Sequence, residues 1–129
     1  MTKSLLLFTA LATVALAVPA FAADESGSST VTTKSDSDGN FTKKTNAEHT
    51  DAAGTTTKSS TDVKVKTDSN GNVKKTVESD SSTDPKGLMN KTTSSSKTTV
   101  EKNADGTGSY AHKEKVNGTT VEDEKTESK

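Results

Sequence analysis

An all-β fold, an extended antiparallel β-meander of polar hairpins without a conventional core, is predicted for this 129-residue chain. Three features predict it: turn signals at near-regular intervals, strict two-residue alternation between them, and a shortage of large apolar side chains. Threonine and valine, which favour the pleated strand, supply most of the alternation. Glycine preceded three residues earlier by Asp or Asn supplies the turns.

Taken in order, the turn signals are Asp36-Ser37-Asp38-Gly39, Asp51-Ala52-Ala53-Gly54, Asp68-Ser69-Asn70-Gly71, Asp84-Pro85-Lys86-Gly87, Asn103-Ala104-Asp105-Gly106 and the shorter Asn117-Gly118. They recur at intervals of roughly 12 to 19 residues, a hairpin rhythm. In a three-residue hairpin loop the first Asp or Asn accepts a backbone hydrogen bond and the glycine takes a left-handed bulge position. Such a loop fixes register. For the third turn it sets Asp68 opposite Asn72, Thr67 opposite Val73, Val65 opposite Lys75 and Val63 opposite Val77, with all four valines on one face. The first turn groups Val31, Thr33, Ser35 and Phe41, and the fifth sets Val100 across from Tyr110. A two-residue loop at Asn117-Gly118 is expected to keep Val116 and Val121 on one side.

Seven strands follow from these turns, over residues 29–35, 40–50, 55–67, 73–83, 88–102, 107–116 and 119–125. Between Thr55 and Thr67 the odd positions are Thr, Ser or Val, and the even ones carry the lysines and the acid. One face of the sheet is therefore weakly apolar and the other charged. No amphipathic helix is available to cover the apolar one. Composition alone also fits an alternative, a largely disordered secreted chain: beyond residue 22 there are only a dozen large apolar side chains, and about a third of the residues are Ser or Thr.

The start of the chain has the three parts of an export signal. Lys3 gives the positive start, Leu5 to Val18 the apolar stretch, and Ala20-Phe21-Ala22 a small-residue cleavage site behind Pro19. Some fourteen apolar residues span about 21 Å as a helix, short of a hydrocarbon core of about 30 Å. Residues 1–22 are thus expected to be a signal peptide, with Ala20 and Ala22 flanking the site and Ala23 the first residue of the exported chain. Residues 23–28 are expected to be a flexible tail, 29–125 the Thr/Ser/Lys-rich hairpin region, and 126–129 a second tail. The expected destination is the periplasm, cell surface or medium of a bacterium, with no transmembrane segment after cleavage.

Chemistry-bearing motifs are scarce. There is no cysteine, which rules out disulfides and thiolate metal sites. The Asp-x-Asp-Gly turns lack the glutamate that closes a calcium loop six residues past the glycine; Thr45, Val77 and His112 stand there. His49 and His112 are joined by no nucleophile or ligand motif. The glycosylation triplets at Asn40, Asn90 and Asn117 arise readily in a chain this rich in Asn and Thr. A net charge of -1 gives no footprint for nucleic acid or an anionic membrane. No catalytic residue, cofactor or metal is expected. The expectation is a non-enzymatic exported structural or interaction protein of the envelope or matrix, whose partner is itself or such a surface and which self-associates through β-strands. The alternative is a disordered, hydrophilic secreted protein with a solvating or stress-protective role.

Overall fold

The computed structural model describes residues 26–87 and 89–128, and shows seven strands in one open sheet. They are β1 (Ser26–Ser35), β2 (Phe41–Thr50), β3 (Thr56–Thr67), β4 (Val73–Asp84), β5 (Thr92–Lys102), β6 (Gly108–Val116) and β7 (Thr119–Ser128). Every strand pairs antiparallel with its neighbour in sequence, in the spatial order β1 to β7. Such a meander needs only local hairpins, and its chemistry is local too: the glycine of each turn has φ between 73° and 93°.

The three-residue loops impose the expected register. Ser35 lies opposite Phe41, Thr67 opposite Val73, Val63 opposite Val77 and Val100 opposite Tyr110. Chained across the sheet, these pairs make continuous rows. One runs Thr33, Lys43, Val63, Val77, Thr98, His112 and Glu124; the next runs Val31, Thr45, Thr61, Ser79, Ser96, Glu114 and Glu122. The opposite face carries the row Thr32, Lys44, Asp62, Glu78, Lys97, Lys113 and Asp123. Ion pairs across neighbouring strands lace that face, among them Lys97 with Glu78 at 2.8 Å, Lys113 with Asp123 at 2.8 Å and Lys58 with Glu48 at 3.1 Å. Segregation is incomplete: Lys43, Lys75, Lys102, Glu114, Glu122 and Glu124 stand on the Thr/Val face.

Among the described residues nothing covers either face. Among the described residues no apolar side chain is buried, and Thr45, 8% exposed, is the one buried polar side chain. Its position explains this. Thr45 sits in β2 between Val31 and Thr61, so both adjacent strands crowd it, whereas the faces above and below each strand meet solvent. Order in this sheet therefore rests on the backbone ladder, the turns and cross-strand side-chain pairs, which each contribute roughly 0.2 to 1 kcal/mol.

Three features depart from the sequence reading. The fourth connection is longer than a three-residue loop: Thr83 pairs with Thr92, so β5 begins at Thr92 rather than at residue 88. A three-residue loop ending at Gly87 would put Lys75 against Lys97 and Val100 on the charged face. The observed register instead pairs Lys74 with Glu101, Glu78 with Lys97 and Lys75 with Val100, satisfying charge and keeping the valines together. Second, a β-bulge interrupts the β6/β7 register. Glu114 therefore faces Glu122 rather than Val121, which faces no residue of β6, so the regular alternation expected to keep Val116 and Val121 on one side is broken between them. Third, the ladder runs into both expected tails. Ser26 pairs with Thr50 and Ser128 with Gly108, each adding backbone hydrogen bonds that Ser and Thr accommodate on a strand.

Candidate functional site

The turn residues singled out from sequence cluster at the two ends of the sheet, and an acid in each of four turns has a defined hydrogen-bonding role. In the first turn Asp36 Oδ1 accepts from the backbone N–H of Asp38 at 3.0 Å and of Asn40 at 2.9 Å, and Oδ2 accepts from Asn40 Nδ2 at 2.9 Å. The third turn repeats this, with Asp68 taking the N–H groups of Asn70 and Asn72 and the Asn72 side-chain amide. These bonds, the Asn40 and Asn72 side chains foremost, hold the Asp36 and Asp68 carboxyls below the ordinary aspartate range. In the fifth turn Asn103 stands in the first position, and Asp105 bonds Thr107 instead, through its N–H at 2.9 Å and its hydroxyl at 2.7 Å. Asp51 accepts from Thr55 N at 2.8 Å. At the sixth turn Asn117, with φ 50°, and Gly118 form the two-residue loop. Asp84 ends β4, and Gly87 lies in the longer fourth connection. Ala20, Ala22 and Ala23 lie outside the described residues.

Turns at one end are also stitched to each other. Asn40 Oδ1 accepts from Thr67 N at 3.0 Å, and Asn72 Oδ1 accepts from Ala104 N at 3.0 Å. The first turn is thereby fastened to the third and the third to the fifth. At the other end Asn117 Oδ1 accepts from Thr93 N at 2.8 Å, while Asn117 N donates to Thr93 O. Sequence reasoning gave Asn40 and Asn72 no part in fastening one turn to another. The available signal was that Asp36-Ser37-Asp38-Gly39-Asn40 recurs two strands later as Asp68-Ser69-Asn70-Gly71-Asn72.

The histidines are not brought together: His49 is in β2 and His112 in β6, four strands apart. His112 does meet carboxylates. Ligand atoms of His112, Glu114 and Glu122 lie within 4.8 Å of one another, with Glu124 directly opposite His112. His112 Nδ1 shares a hydrogen bond of 2.8 Å with Thr98 Oγ1. An imidazole with two carboxylates is a donor set for a divalent cation. Here His112 and Glu114 are half-buried and Glu122 is exposed, on the last two strands of the sheet. Sequence spacing concealed it, because the bulge at Val121 is what aligns Glu114 with Glu122. On the charged side a shallow hollow of about 610 Å³ is lined by hydroxyls and charges including Thr30, Ser60, Asp80, Ser95 and Lys115. Lining residues reach from β1 to β6, so the sheet bows with its charged face inward. The hollow has no aromatic platform and no nucleophile paired with a base.

Unpaired backbone groups remain at the two edges. Asp36 N donates to Asn40 O, so by antiparallel alternation the even residues of β1 bond to β2. Ser29, Val31 and Thr33 consequently direct their N–H and C=O groups outward. All of β1 is exposed, and it carries one charge, Lys34. The other edge differs: β7 carries Glu122, Asp123, Glu124 and Glu127 against Lys125 alone, and it is interrupted by the bulge. β1 and β7 do not touch each other.

No family model matches the chain, and comparison with curated proteins and with solved structures finds no match. Among the described residues no helix is long and apolar enough to cross a membrane.

Proposed function

We propose that this chain is a non-enzymatic exported structural or interaction protein of the cell envelope or extracellular matrix, acting as an open sheet that other strands or surfaces complete. One observation carries the reading: a seven-stranded sheet with no buried apolar side chain among the described residues and two unpaired edges. A sheet without a covered face lacks the main source of fold stability. Strand addition or surface docking supplies what is missing, by extending the ladder and removing apolar area from water. Export is supported by the signal-like start of the sequence. The partner in this reading is the chain itself or an envelope or matrix surface.

Cell fractionation with N-terminal sequencing and native sizing tests the reading. The chain is expected outside the cytoplasm, beginning at Ala23, in multi-chain or matrix-bound form. A cytoplasmic monomer retaining Met1 would overturn it. An exported random-coil monomer would transfer the case to the solvating, stress-protective alternative.

A further inference from the structure

Resting on the self-association reading above, we propose that β1 is the assembly edge and β7 a blocked one. β1 pairs antiparallel with β1 of a second copy about a two-fold axis normal to the sheet, giving a closed dimer with a continuous sheet of twice seven strands.

Edge protection in this molecule is one-sided. Natural sheets blunt their edges with charges and bulges, and β7 has both: four carboxylates against one lysine, and the irregularity beside Val121. Two β7 strands brought together would set these acids against each other. β1 has no bulge and little charge. It is a ten-residue, regularly paired strand whose single charge is Lys34. Translation of one copy alongside another, β7 to β1, gives a parallel pair, because an odd number of antiparallel strands leaves the two edges running the same way. That contact would place the bulged strand in a ladder that is slightly weaker per residue.

Backbone direction then fixes the symmetry. The outward N–H and C=O groups of β1 belong to its odd residues, and an antiparallel ladder pairs outward groups with outward groups. Odd residues must therefore meet odd residues, which keeps the Thr/Val faces of both copies on the same side. The best-filled register sets Val31 opposite Val31 of the second copy, Ser29 opposite its Thr33 and Gly27 opposite its Ser35. Val31, 56% exposed in the single chain, gains an apolar neighbour, and the row through Thr45 and Val31 continues into the second copy. Lys34 falls beside the second copy's Ser28, leaving the two lysines about 20 Å apart.

A chain without cysteine offers a clean cross-linking test on the full secreted protein. In this register the two Val31 Cα atoms lie about 5.5 Å apart, within disulfide reach. Under mild oxidation Val31→Cys should convert to a covalent dimer at least ten times faster than Thr126→Cys in β7. Val31→Lys and Val31→Glu should each sediment as monomers with the far-UV signal of the dilute wild-type chain, and an equimolar mixture of the two should recover the dimer. If the wild-type chain self-associates while Thr126→Cys cross-links and Val31→Cys does not, the edge assignment is wrong and the self-association reading stands. A growing fibre rather than a dimer overturns the closed two-fold. A wild-type monomer at millimolar concentration overturns both.

Discussion

Replacing Gly71 with valine isolates the contribution of turn geometry in a sheet that has no core to compensate. Gly71 sits at φ +82°, and a Cβ built there would lie 3.7 Å from the Ala104 Cβ, an ordinary contact. Steric collision is thus absent, and the cost is backbone strain: about 1 to 2 kcal/mol for an L-residue in the left-handed region, toward the upper end for a β-branched side chain. With roughly 4 to 8 °C per kcal/mol for a domain of this size, Gly71→Val should lower the midpoint of the far-UV melting curve by roughly 8 to 15 °C. Gly71→Asn should cost far less, since asparagine tolerates this region. Gly54→Val differs again. Its Cβ would meet Lys86 Cδ at 2.6 Å, and the flexible lysine must move as well. Matched melts of the three variants check the ranking. A Gly71→Val protein that melts with the wild type, or a Gly71→Asn protein as damaged as the valine variant, would refute the turn assignment.

Other perturbations address the faces and the charges. Glu114→Gln removes a like-charge opposition with Glu122 and should raise the midpoint by a few degrees at low salt, an advantage that shrinks as ionic strength rises; a loss of stability would contradict it. Lys97→Glu should destabilise by about 0.2 to 1 kcal/mol, because the pair with Glu78 becomes repulsive, and adding Glu78→Lys should restore the midpoint; an additive double variant would deny the pairing. Acid should loosen the sheet over a defined window. Asp36 and Asp68 are lowered from 3.8 by hydrogen bonds made only in the fold, so their stabilisation is complete above about 3.8 and disappears as pH falls through their lower folded values. Glu78 and Asp123, lowered by Lys97 and Lys113 through hydrogen bonding and charge, act in the same direction. A pH series of melting curves should be flat from neutrality to about pH 5 and fall below about 4, and Asp68→Asn should flatten part of that fall.

Local chemistry made most of the fold readable. Asp36, Asp68 and their glycines announce a three-residue loop, the loop fixes register, and register gathers Val63, Val65, Val73 and Val77 on one face. What escaped depended on comparing strands with each other. The length of the fourth connection could not be read from Asp84-Pro85-Lys86-Gly87, which looks like the other turns. It follows from the strands on either side, because only the longer connection brings Lys74 to Glu101 and Glu78 to Lys97. The bulge at Val121 likewise has no turn residue to mark it, and the His112, Glu114 and Glu122 grouping depends on it. The stitching of turns by Asn40 and Asn72 joins residues two strands apart, and its trace in the sequence is the recurrence of the whole five-residue turn. The inequality of the edges was visible in composition, but it acquires meaning only once β1 and β7 are known to be the outer strands.

Sedimentation equilibrium and far-UV circular dichroism, on the same samples of the chain from micromolar to millimolar, test most directly the claim that strand pairing between copies completes this sheet. The account predicts a rise from one chain mass to two, with β signal increasing in step and no growth beyond the dimer. A single-chain mass and an unchanging random-coil spectrum across the whole range would contradict it.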